Sequence, residues 1–170
     1  MTLKHFGLRG RLAALLAAAA LLPHTASAHS LGYAVNTVNW TFAGAAQVVV
    51  DGMTSNVLAK PANQRLIITF ASECAVDAPA GNTSGWVDVD IVLLDAAGAV
   101  VYTATPTAGS ADAFCAANGT AGFDGWESNA VVALVPYNFP AGNYRVQVRA
   151  RINGGATGGW FGERQLAVSL

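Results

Sequence analysis

The chain has 170 residues, nine basic and ten acidic, two cysteines, three histidines and a formal net charge of −1. It has no basic excess, so nucleic acid is not an expected partner. With 53% hydrophobic residues it has ample material for a buried core and does not match a disordered composition.

The first element is a targeting segment. Lys4, Arg9 and Arg11 form a basic stretch, and Leu12 to Leu22 is an unbroken Leu/Ala run too short for a stable span. Pro23 breaks it, and Ala26-Ser27-Ala28 has the small residues that signal peptidase accepts. The expectation is a cleaved Sec-type secretory signal over 1–28, with cleavage after Ala28, in a bacterial protein bound for the periplasm or the medium. Residues 29–170 would then form one domain of about 142 residues, the size of an ordinary single core. Removing the signal leaves six basic against ten acidic residues, a net −4. No second long apolar run follows Pro23, so no membrane span is expected after cleavage.

From there the chain reads as strands. Tyr33 to Phe42 is a first candidate, followed by Ala46 to Val50. Leu66 to Phe70 is β-branched and aromatic and runs on toward Cys74. Val87, Val89, Ile91 and Leu93 alternate with Trp86, Asp88, Asp90, Val92 and Leu94, the two-residue period of a strand. Asp95-Ala96-Ala97-Gly98 is a hairpin turn before Val100 to Thr103. Ala104 to Ser128 is rich in small residues and reads as a long loop. Val131 to Val135 resumes strand character, and Pro140-Ala141-Gly142-Asn143 reads as another hairpin turn. Tyr144, Val146, Val148, Ala150 and Ile152 alternate with Arg145, Gln147, Arg149 and Arg151. Asn153-Gly154-Gly155 and Gly158-Gly159 bracket the last connection, before Leu166 to Leu170. No helical stripe occurs after the signal. About eight strands with glycine-rich connections predict an all-β antiparallel β-sandwich, jelly-roll or Ig-like, with one disulfide. Cys74 and Cys115 are an even pair in an oxidising compartment and are expected to form that bridge.

Five features can carry function, and each has a plainer reading. His29 would be the mature N-terminus and can bind copper with its amine, but a copper brace needs a second histidine and none remains; the plainer reading is a frayed terminus. Asp88 and Asp90 share a strand face and can do acid/base work or hold Ca²⁺, or can pair across strands with Arg145, Arg149 or Arg151. Those three arginines can grip an anionic polysaccharide or be a solvated face. Trp126 and Trp160 sit among glycines, where exposed rings stack on sugars with Asp124 and Glu127 hydrogen-bonding hydroxyls; the alternative is that each plugs an open end of the sandwich. Asp112, Asn118, Asp124 and Glu127 form an oxygen-rich run that can bind Ca²⁺ or serve turn chemistry.

No nucleophile elbow, zinc-protease helix, P-loop or dinucleotide fingerprint is present. No enzyme activity and no cofactor or metal are expected. The leading expectation is a secreted, non-catalytic β-sandwich that binds a carbohydrate or cell-surface ligand. The alternative is a structural or assembly protein of the envelope or an appendage, working by protein contact through an edge strand at Leu166 to Leu170. A small glycoside hydrolase is a third reading, using carboxylates such as Asp88 with Glu73 or Glu127, and it needs two carboxylates converging in a groove.

Overall fold

The computed structural model describes residues 29–104 and 113–170. The expected signal segment, 1–28, and Asp112 lie outside the described residues. Among the described residues eleven strands form two sheets, and every pairing is antiparallel. The first sheet runs β1 (Ser30–Asn36), β11 (Gly158–Ser169), β5 (Leu66–Ala78), β9 (Gly122–Val135), with β2 (Trp40–Ala43) also pairing β11. The second runs β3 (Val48–Thr54), β10 (Gly142–Asn153), β6 (Trp86–Leu94), β7 (Val100–Ala104), with β4 (Leu58–Lys60) on β10 and β8 (Cys115–Ala116) on β6. The fold is the expected antiparallel β-sandwich. Among the described residues no helix is long and apolar enough to cross a membrane.

The two-residue period decides which side of each strand is buried. On β10, Val146, Val148, Ala150 and Ile152 are buried, while Arg145 and Arg151 are exposed and Arg149 half-buried. On β6, Val87, Val89, Ile91 and Leu93 turn inward to meet them. Leu66, Ile68, Phe70, Cys74 and Val76 of β5 line the facing sheet with Phe161, Leu166 and Val168 of β11. At one end, Phe161 is packed among Trp40, Phe42, Phe70 and Phe114 at ring-centroid distances of 5.6–6.2 Å. The disulfide Cys74–Cys115 joins β5 to β8 at that end, linking one sheet to the other.

Several connections differ from the sequence reading. The turn after Leu94 is a hairpin as expected, and the Asp95 carboxylate accepts the amides of Ala97 and Ala99 at 2.9 Å. Pro140-Ala141-Gly142-Asn143 is no hairpin turn, because it carries the chain from β9 in one sheet to β10 in the other. The Tyr33 to Phe42 strand is split at 37–39, where the Asn36 side chain accepts the amide of Val38 at 2.9 Å. The expected long loop is shorter: β9 begins at Gly122, not at Val131, and β11 begins at Gly158, not at Leu166. The C-terminal strand is interior, flanked by β1 and β5. Leu166 to Leu170 therefore offers no free edge for assembly.

Candidate functional site

Trp126 and Trp160 are on strands, not loops. They come together on the outer face of the first sheet, and neither plugs an end of the sandwich. Trp160 of β11 pairs in register with Ala75 of β5. On the other side of β5, the register to β9 breaks between Cys74 and Val76, so Gly125 and Trp126 together oppose Ala75. This is a β-bulge, and Gly125 makes it possible with φ of 63°, in the left-handed region that glycine favours. The two indoles then meet across the small Ala75 at 4.5 Å between ring centroids, tilted by 66°. Such edge-to-face pairs contribute about 0.5–1.5 kcal/mol beyond their burial. Ala75 is fully buried, while Trp126 remains 61% exposed.

A second bulge lies beside the first. Cys74 pairs with Phe161 and Ser72 with Arg164, so Gly162 and Glu163 of β11 oppose the single residue Glu73. A side chain on Gly162 would collide with the Glu73 carboxylate and the Trp160 ring, which both lie over its backbone. We expect Gly162→Ala to lower stability by about 1–3 kcal/mol through overpacking. It should also shift tryptophan emission as the Trp160 ring is displaced, and an unchanged spectrum would show that the ring does not rest there.

Arg164 holds this bulge from inside. Its side chain is 0% exposed, and Nη1 donates to the carbonyls of Phe161 and Gly162 at 2.9 Å each. Nη2 lies 3.7 Å from the Asp51 carboxylate, and neither Nη2 nor Nε has a hydrogen-bond acceptor among the described residues. Burial pushes the Arg164 guanidinium below its ordinary pKa, and the charge of Asp51 opposes that shift.

Next to the tryptophan pair, a groove of about 470 Å³ crosses the sheet. Its lining runs from Val35 on β1, through Glu163 and Gln165 on β11 and Ala71 and Glu73 on β5, to Ser128 on β9. Aromatic rings, carboxylates, an amide and a hydroxyl thus share one open surface. Such a surface can stack a planar ring face and hydrogen-bond its rim.

The other candidate residues do not join this site. Asp124 is buried, and its carboxylate accepts the amides of Asn118 at 3.3 Å and Thr120 at 2.8 Å, so it holds a turn. Glu127 follows Trp126 and turns the other way, accepting the Asn129 amide at 2.7 Å. Asp124 and Glu127 are therefore not polar partners of the tryptophans. Of the oxygen-rich run, Asn118 and Asp124 meet among the described residues, and backbone amides occupy the carboxylate. Among the described residues no group of three or more His, Cys, Asp or Glu could hold a metal ion. Arg145, Arg149 and Arg151 lie on the outer face of the second sheet, opposite the tryptophans. There Arg151 pairs with Asp88 at 3.1 Å, and Arg149 donates to Gln147 at 2.9 Å. Asp88 also accepts Trp86 Nε1 and Asn153 Nδ2 at 2.9 Å, and Asp90 accepts the Gln47 amide. Asp88 and Glu73 are on opposite outer faces, so they cannot act as a catalytic pair.

Sequence reasoning found the two rings but missed Glu163 and Gln165, and it placed Glu73 with the wrong partner. The outward alternation Thr69, Ala71, Glu73, Ala75 was a usable signal for Glu73. Nothing local linked it to Glu163, which lies 90 residues away.

No family model matches the sequence, and no curated protein matches it significantly. Among solved structures, the chain is similar to the VP2 subviral particle of infectious bursal disease virus, with 14% identity over 88% of this chain and a TM-score of 0.52. It is also similar to the T=1 particles derived from that virus, with 12% identity over 88% of this chain and a TM-score of 0.50. The chain spans about a third of those proteins, 36% and 35% of their length. The xylan-binding module CBM15 aligns over 82% of this chain and 95% of its own, with 14% identity and a TM-score of 0.34. At such identities the likeness to the two virus-particle structures is one of fold. The chain is an antiparallel β-sandwich whose architecture recurs within the larger chains of those virus particles.

Proposed function

We propose that this chain is a secreted, non-catalytic β-sandwich that binds a carbohydrate on the outer face of its five-stranded sheet. One observation carries the reading: Trp126 is more than half exposed, yet it sits at a bulge and packs against the Trp160 ring. A ring fixed before the ligand arrives loses little side-chain entropy on binding. Glu73 stands beside the Trp160 ring, and Glu163, Gln165 and Ser128 line the adjoining groove with it, supplying acceptors and donors for sugar hydroxyls.

The test is retention of the protein lacking residues 1–28 on a panel of insoluble polysaccharides and peptidoglycan. A central tryptophan contributes about 2 kcal/mol or more to a contact, about thirtyfold in affinity. Trp126→Ala and Trp160→Ala are expected to lose retention while remaining folded. No retention of the unmutated protein on any matrix would sink the reading.

A specific feature of the same face supports assembly as a second reading. Tyr33 and Val35 are 69% and 64% exposed, and Ile67 and Val132 accompany them. A self-associating protein would sediment faster with concentration and bury Trp126. A monomer with solvent-quenched Trp126 emission favours sugar binding.

A further inference from the structure

The groove carries two carboxylates that the fold does not need. Glu73 and Glu163 meet on neighbouring strands, where like charges oppose folding. Among the described residues neither forms an ion pair. The basic residue in the groove lining, Arg164, has its guanidinium buried and turned onto the bulge carbonyls. Of the exposed arginines, Arg145 and Arg151 are on the opposite sheet, and Arg65 precedes the start of β5, at the end of that strand away from Ala75 and the tryptophans. The surface next to the tryptophans is therefore acidic. An anionic sugar would meet repulsion there, and a neutral sugar would gain nothing from the charge.

We propose that this groove selects a polysaccharide bearing protonated amines, a chain of deacetylated glucosamine units. The inference rests on Trp126 and Trp160 being the sugar platform. An equatorial amine projects from the rim of a sugar ring, roughly in the ring plane. When the ring face stacks on indole, the amine points sideways. Glu73 stands there, since its carboxylate and the Trp160 ring share the space above Gly162. Glu163, one residue on in the same bulge, supplies the second acceptor. An ammonium donating to a carboxylate makes the stronger, charge-assisted kind of hydrogen bond.

The experiment is a calorimetric titration of the protein with four ligands: hexamers of glucosamine, N-acetylglucosamine and glucose in one linkage, and a lysine hexamer. The glucosamine hexamer is expected to bind about tenfold tighter than the acetylated one, with the advantage shrinking at high salt. In Glu73→Gln/Glu163→Gln the glucosamine and N-acetylglucosamine hexamers should bind alike, and the melting temperature should not fall. Equal binding of charged and neutral sugars, lost in Trp126→Ala, would overturn the amine selectivity and leave the platform standing. Equal binding of the lysine hexamer would also overturn it, since charge alone would then suffice. Failure of every hexamer to bind would overturn both.

Discussion

Replacing Cys74 and Cys115 together by alanine is expected to lower the unfolding free energy by about 4 kcal/mol. The bridge spans 41 residues of sequence, and releasing a loop of that length returns a large conformational freedom to the unfolded chain. Domains of this size have about 5–15 kcal/mol in total, so the variant would lose a large share of its stability. The position of the bridge adds a local effect. Cys74 pairs in register with Phe161 on one side and Glu127 on the other, and the next residue, Ala75, lies beneath both tryptophans. Freeing β5 from β8 removes the covalent link behind the platform. Urea unfolding of the variant, alongside the reduced parent protein, measures the effect. A shift under about 1 kcal/mol in both would show that packing at this end suffices without the bridge.

The strands that were legible in the sequence are those with one polar and one apolar face. β6 alternates from Trp86 to Ile91 and β10 from Arg145 to Asn153, and their mutual register pairs Asp88 with Arg151, one of the matches expected across strands. The starts of β9 and β11 were illegible because the features that build the site break the pattern. Gly122 to Glu127 and Gly158 to Glu163 contain glycines at the bulges and aromatic residues on the outer face. Locally these look like loops, and only pairing with β5 makes them strands. The same alternation explains the misplaced partners of Trp126. Asp124 and Glu127 are close in sequence, yet strand geometry sends them away from the outer face, while Glu73 and Glu163 arrive from other strands. The face of Leu166 to Leu170 was readable, but its position inside the sheet was not, because sheet order follows from tertiary pairing.

Phe161→Ala is expected to cost about 3–5 kcal/mol, comparable to loss of the disulfide. The Phe161 ring is fully buried where the two sheets close. It has ring neighbours at 5.6 Å in Phe42, 5.8 Å in Phe114, 6.0 Å in Phe70 and 6.2 Å in Trp40. Truncation leaves a cavity that four large rings, three from β2 and β5 of the first sheet and Phe114 just before β8, cannot all move to fill. The comparison with its neighbour is informative. Trp160 precedes Phe161 on the same strand and faces the other way, so Trp160→Ala should lose the ligand with a smaller loss of stability. Phe161→Ala should do the reverse, keeping affinity below its lowered melting temperature. Denaturant midpoints and hexamer affinities for the two variants separate these effects. If both variants lost affinity and stability in parallel, the outer face would be inseparable from the core, and the platform reading would lose its basis. If they separate, one strand carries two jobs on its two faces. Its inward ring, Phe161, then helps hold the sheets together, and its outward ring, Trp160, is free to meet a ligand.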